Sequence, residues 1–147
     1  MNLKEELAKV TGVWVGTYTH LKPNGERIDH FASRQETRIE NNNWYERIIY
    51  SWADGGRQTL DFRARFENGQ MIFDDPNFHG ESFMPTAGIF VFPYFWKNKP
   101  ETKIVEIIVF SNEQKRSRVW QTFDNDELAK LTVITERKIE GRPEVWE

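Results

Sequence analysis

Arg116 and Arg118 stand at alternate positions of the run Lys115–Phe123, so a strand there puts both guanidinium groups on one face. Facing inward, they would form an anion clamp for a carboxylate. Because a buried unpaired arginine is costly, that placement demands a partner carboxylate or a ligand. Facing outward, both are simply solvated. The competing set Ser117, Val119, Gln121 and Phe123 looks at least as suited to an interior. A second group, Asp74, Asp75, His79 and Glu81, has the residue types that hold metals or move protons. It lies in a stretch broken by Pro76, Gly80 and Pro85, and the plainer alternative is a solvated acidic loop in which Asp74 or Asp75 serves turn geometry. No metal and no cofactor are assigned. His20 and His30 flank the first expected hairpin, which would bring them near one another. There is no glycine-rich phosphate loop before a helix, no His-Glu-x-x-His and no Gly-x-Ser-x-Gly, so a serine or metal hydrolase is unsupported. The chain has no cysteine, which excludes disulfides, thiolate metal sites and cysteine nucleophiles.

The elements that must position these residues are almost all strands. Only residues 1–10 read as a helix, with Leu3, Leu7 and Val10 at helical spacing on one face. From Gly12 onward, turn signals recur at Pro23-Asn24-Gly25, Asn41-Asn42-Asn43, Asp54-Gly55-Gly56, Asn68-Gly69, Asn98-Lys99-Pro100, Asn112-Glu113 and Asp124-Asn125-Asp126. Between them the spacing predicts strands over 12–21, 27–40, 44–53, 57–67, 70–74, 88–96, 103–111, 115–123 and 128–139, with 75–87 irregular. No gap has room for a crossover helix, so neighbours pair antiparallel in sequence order. The expected fold class is all-β: an antiparallel up-and-down barrel of eight to ten strands with a short N-terminal helix, in one domain spanning 1–147. Closure is favoured over an open sheet because it removes the edges.

Alternation indicates what faces inward. In 57–67, Gln58, Leu60, Phe62, Ala64 and Phe66 oppose a charged set. In 27–40, Phe31, Ser33, Gln35, Thr37 and Ile39 oppose Arg34, Glu36, Arg38 and Glu40. Small polar groups amid that inner face suit a cavity that holds water or a polar-headed ligand, since a solid core would have to satisfy them internally. Both faces of 44–53 look apolar, with Trp44, Ile48, Tyr50 and Trp52 against Tyr45, Ile49 and Ala53, which predicts a covered outer face. The aromatic run 88–96 is apolar on both faces too. It is expected to be covered, with Phe90–Trp96 as a homodimer contact and Pro93 at an edge or bulge.

Gly12-Val13-Trp14, following a short helix, resembles the element that opens the first strand in the lipocalin and wider calycin superfamily. The resemblance implies a lipocalin-like barrel in which Trp14 closes one end and a basic residue of the last strand, here Arg137, packs over its ring. Such a cation–π contact is worth about 0.5–2 kcal/mol. Trp14-Val15-Gly16-Thr17-Tyr18, Asn24-Gly25, Arg116-Ser117-Arg118-Val119-Trp120-Gln121 and Thr135-Glu136-Arg137 make the whole chain most similar to uncharacterised cyanobacterial lipocalin-like domains. A looser pattern, adding Thr19-His20-Leu21 and Glu136-Arg137-Lys138, is similar to phycobiliprotein lyases, which deliver a linear tetrapyrrole to a cysteine on another protein.

The formal net charge is −3, from 20 basic and 23 acidic residues, which argues against a nucleic-acid partner. The charged start Met1-Asn2-Leu3-Lys4-Glu5-Glu6 does not read as a secretory leader, and no apolar run is long enough to insert in a membrane; the expected location is the cytoplasm. The expected function is binding of a small apolar molecule, with Phe31, Ser33, Gln35, Phe62, Arg118, Trp120 and Gln121 as ligand-binding residues. The alternative is a lyase-like barrel that positions a bilin chromophore for attachment to a partner.

Overall fold

Alternating apolar residues between tight turns leave the chain one economical way to bury its aromatic side chains, and the computed structural model, which describes residues 2–142, takes it. Helix α1 (Leu3–Ala8) precedes ten strands: β1 (Gly12–Leu21), β2 (Arg27–Glu40), β3 (Asn43–Ser51), β4 (Arg57–Glu67), β5 (Gln70–Asp74), β6 (Phe78–Thr86), β7 (Ile89–Trp96), β8 (Lys99–Asn112), β9 (Lys115–Asp124) and β10 (Glu127–Ile139). Each strand pairs antiparallel with its sequence neighbour, and β1 pairs with β10, so the barrel closes. Residue 1 and residues 143–147, which the expected helix and domain limits include, lie outside the described residues.

Turn chemistry sets the register. Asn68 and Gly69 both have positive φ, 52° and 76°, and join β4 to β5 directly. That backbone matches the right-handed twist of a two-residue hairpin. Asn125 and Asp126 do the same between β9 and β10, with φ of 49° and 65°.

One strand departs from expectation. The stretch 75–87, expected to be irregular, contains β6, because each of its breakers has a local role. Pro76 falls in the β5–β6 turn, and Pro85 sits where the β6–β7 register shifts between Phe83 and Thr86. Gly80 lets β7 approach: a Cβ there would lie 2.6 Å from Phe92 and Tyr94 side-chain atoms. Pro93 is not at an edge. It lies within β7 opposite Val105 of β8, between the β6–β7 pairs Gly80↔Tyr94 and Phe83↔Val91. Strand β8 also begins earlier than expected, absorbing Lys99 and Pro100.

Helix α1 is capped by Asn2, whose side chain accepts the Glu5 N–H, and it plugs one end of the barrel. Leu3, Leu7 and Val10 are buried in one cluster with Trp14, Trp44, Phe90 and Ile108. The indole of Trp14 donates to the Val10 carbonyl at 2.8 Å, which fixes the helix against β1. The opposite half of the interior holds a second cluster of Tyr18, Phe31, Ile48, Tyr50 and Ile134. On the outer wall, Tyr45 is covered by the guanidinium groups of Arg38 and Arg63, 4.7 and 5.4 Å from its ring centre. Among the described residues, no helix is long and apolar enough to cross a membrane.

Candidate functional site

The barrel is not filled. A cavity of about 560 Å³ lies between the α1 plug and the opposite rim. That volume is in the range of small-molecule sites. Its walls are largely aromatic: Phe31, Phe62, Phe73, Phe78, Phe92, Tyr94, Trp44, Trp96 and Trp120 all face it. Asp29, Trp52, Gln58, Lys99 and Lys130 line it at the end away from the helix.

Polar groups cluster on one wall, built by β8, β9 and β10. Arg116 and Arg118 both point inward and are buried, while Ser117, Val119 and Gln121 point out and are exposed. Cross-strand register explains the choice. Arg116 lies opposite Glu136 of β10, and its Nε donates to Glu136 Oε1 at 2.9 Å. Arg118 lies opposite Ile108 and Ile134, one step along from Glu106 on β8 and Glu136 on β10. Its Nε donates to Glu106 at 2.8 Å, and its Nη1 reaches Glu136 at 3.2 Å and the Tyr18 hydroxyl at 2.9 Å. Gln35 accepts from Arg116, and Trp120 donates its indole N–H to Glu106. Two cations therefore meet two anions, the arrangement a buried arginine requires, while Glu136 Oε2 has no hydrogen-bond partner among the described residues.

The titration behaviour follows from this pairing. Burial opposes ionisation of Glu136, but Arg116 and Arg118 outweigh it and hold its pKa below the ordinary value of 4.5. Burial also opposes the charge on Arg118, yet Glu106, Tyr18 and Glu136 more than offset it, and its pKa is raised. Burial pushes Tyr18 well up despite the nearby Arg118, and pushes Tyr50 up to about 12.

Another carboxylate, Glu46, faces the cavity from β3. Glu46 accepts the Trp44 indole N–H at 3.1 Å and, among the described residues, forms no ion pair. Burial raises its pKa, with Arg118 pulling the other way.

The expected ligand-binding residues divide. Phe31, Gln35, Phe62, Arg118 and Trp120 line the cavity together. Ser33 is buried but does not line it; its hydroxyl has no hydrogen-bond partner among the described residues. Gln121 is on the outer face, because inward Arg118 and Trp120 force its neighbours out. Trp14 is fully buried on β1, which closes the barrel against β10, but the cation over its ring is Arg116, at 4.3 Å. Arg137 pairs with Val15 and is exposed on the outside, one position out of phase with the interior. In the segment Phe90–Trp96, Phe90, Phe92, Tyr94 and Trp96 line the cavity, which leaves Val91, Pro93 and Phe95 outward. His20 lines the cavity and meets Thr132 at 2.8 Å, whereas His30 is on the other face with Thr19. Burial, then Lys130, lowers the His20 pKa. The group around His79 is a surface ion-pair cluster: Asp74 takes Lys97 at 2.8 Å, and His79 bridges Asp74 and Glu81 at 3.5 Å each. Asp75 caps its own turn through the Asn77 N–H. Among the described residues, no group is arranged to hold a metal ion.

Glu46, Glu106 and Glu136 are the carboxylates in and behind the cavity wall that the sequence reading passed over. On β10, Glu136 shares a mixed face with Lys130, Thr132 and Ile134, but Glu46 and Glu106 each interrupt an apolar alternation, Trp44-x-Glu46-x-Ile48 and Ile104-x-Glu106-x-Ile108. That interruption was the available signal.

Residues 2–140 match the family model described as "Domain of unknown function (DUF3598), N-terminal". The chain belongs to this family. A crystal structure of a DUF3598 protein of unknown function from Nostoc punctiforme superposes with a TM-score of 0.74 at 15% identity over 89% of this chain. The match takes in 48% of that protein, so this chain spans about half its length. The S-type phycobiliprotein lyase CPES from Guillardia theta superposes with a TM-score of 0.76 at 13% identity, over 97% of this chain and 95% of the lyase. A protein from M. tuberculosis gives 0.68 at 10% identity, over 92% of this chain and 96% of its own. At these identities the likeness is one of fold. No curated protein matches the sequence.

Proposed function

We propose that this DUF3598 barrel is a lipocalin-like binding module that takes one small, largely apolar molecule into its interior. The observation that carries the reading is the cavity of about 560 Å³, aromatic on most sides and polar along one wall. Aromatic walls supply area, while a few fixed polar groups orient the ligand. A purely structural barrel of this size would fill its centre with side chains. The paired Arg116, Arg118, Glu106 and Glu136 are held by one another, so the wall is preorganised before any ligand arrives.

Titration with Nile red, a neutral apolar dye, tests this. Trp44, Trp52, Trp96 and Trp120 line the cavity, so their fluorescence should be quenched saturably at one dye per chain. Absence of saturable quenching would remove the reading.

A second reading, a lyase-like barrel that positions a linear tetrapyrrole for a partner protein, is supported by the near full-length likeness to the Guillardia theta lyase. Against it, both inward arginines already hold carboxylates, so propionate groups would have to displace Glu106 or Glu136. Biliverdin binding with a shifted absorption band would favour it.

A further inference from the structure

Resting on the ligand-binding reading, we propose that Glu46 is the specificity determinant of the cavity and selects an apolar ligand bearing a cationic nitrogen, such as an arylalkylammonium, over a carboxylate. Charges on the deep wall do not cancel. Arg116 and Arg118 contribute two positive charges, and Glu106 and Glu136 neutralise them at 2.7–3.2 Å. Glu46 is left over. Its carboxylate accepts one hydrogen bond, from Trp44, and has lone pairs to spare toward the open cavity.

The surroundings point the same way. Phe62 lies opposite Glu46 on β4, and Trp44 and Ile48 flank it on β3. An ammonium group there gains a charge-assisted hydrogen bond among largely apolar walls, with aromatic faces beside it for cation–π contact. An anion there meets the unneutralised carboxylate, and the guanidinium groups nearby are already occupied. The other charges lining the cavity, Lys99, Lys130 and Asp29, belong to the far rim. They face an entering ligand before its head group reaches Glu46.

Burial raises the Glu46 pKa, against the pull of Arg118. An ammonium ligand reverses that shift, so its uptake releases a proton whenever Glu46 is protonated in the empty barrel, and its affinity falls on acidification. Arg118, Arg116 and Glu106 are the charged groups facing Glu46 from β8 and β9, Tyr94 faces it from β7, and Tyr50 shares its strand.

The test uses three probes with one skeleton: 2-naphthylethylammonium, 2-naphthylethanol and 2-naphthylacetate, titrated into the full chain and followed by tryptophan quenching and calorimetry. The expected order of affinity is ammonium, alcohol, acetate. Glu46→Gln should weaken the ammonium about tenfold, the size of one charged hydrogen bond. The same variant should shift the alcohol far less than the ammonium, so the ratio of the two affinities carries the test, and retained alcohol binding reports that the cavity is intact. Tightest binding by the acetate, or an ammonium preference that survives Glu46→Gln, overturns the assignment of Glu46 while the ligand-binding barrel stands. If none of the three binds and Nile red does not either, the ligand-binding reading falls and the assignment falls with it.

Discussion

Arg118→Met probes whether the interior network is as buried and as mutually dependent as its geometry indicates. Arg118 is 3% exposed and joins Glu106, Glu136 and Tyr18. Methionine keeps most of the side-chain volume and removes the charge. Among the described residues, Glu106 then retains only the Trp120 indole as a donor, while Glu136 keeps Arg116. Removing one partner of a buried ion pair costs about 3–5 kcal/mol, because the remaining charge is left without compensation. The adjoining cavity lets water reach Glu106, which places the expected loss at the lower end, about 3 kcal/mol. For a chain of this length that corresponds to a fall in Tm of about 6–12 °C. Adding Glu106→Gln removes the abandoned charge, and the double variant should recover about half of the loss. Urea unfolding followed by far-UV circular dichroism gives both numbers as shifts in midpoint at constant slope. A loss below about 1 kcal/mol for Arg118→Met, or no recovery in the double variant, would show that the charges are solvated and that the network does not organise the wall.

Two further outcomes follow from close packing and from titration. Gly16 faces β10 so tightly that an added Cβ would sit 1.9 Å from the Thr135 carbonyl oxygen and 2.8 Å from the Glu136 side chain. Gly16→Ala should therefore cost about 3 kcal/mol by overpacking, and it should shift the acid limb of unfolding because it dislodges Glu136; a variant that melts like the parent would refute this. Glu136 and Glu46 pull stability in opposite directions with pH. The folded Glu136 pKa is lowered, so its contribution is fully present above the unfolded value near 4.5 and is lost as pH falls through the folded one. The folded Glu46 pKa is raised, so stability declines as pH rises from 4.5 through that higher value. Glu46→Gln should consequently raise the Tm of the empty barrel at neutral pH and change it little near pH 4. Equal Tm values for variant and parent at neutral pH would show that Glu46 imposes no such burden.

The barrel and the inner faces of β2 and β4 were legible in the sequence. Asn68-Gly69 and Asn125-Asp126 announce their hairpins because their backbone angles suit few other residues. On β4, charged and apolar residues separate cleanly, so face and environment coincide. Strand β6 was hidden because Pro76, Gly80 and Pro85 read as breakers one by one, and only their neighbours show that a turn, a close approach and a bulge absorb them.

The site was less legible. Alternation tells which side chains share a face; it does not tell which face is inside when both carry apolar groups. On β9 the rule linked Arg116 with Arg118 and set Val119 beside Gln121, and hydrophobicity alone favoured the second pair for the interior. Only the register with β8 and β10 reverses this, by bringing Glu106 and Glu136 alongside the arginines. The same register gives the Trp14 ring to Arg116 and leaves Arg137 outside. Local sequence thus determined that Arg116 and Arg118 act together. Cross-strand register decided that they face the cavity already neutralised, because the cost of burying each charge is met by carboxylates 12 to 20 residues away on the two flanking strands.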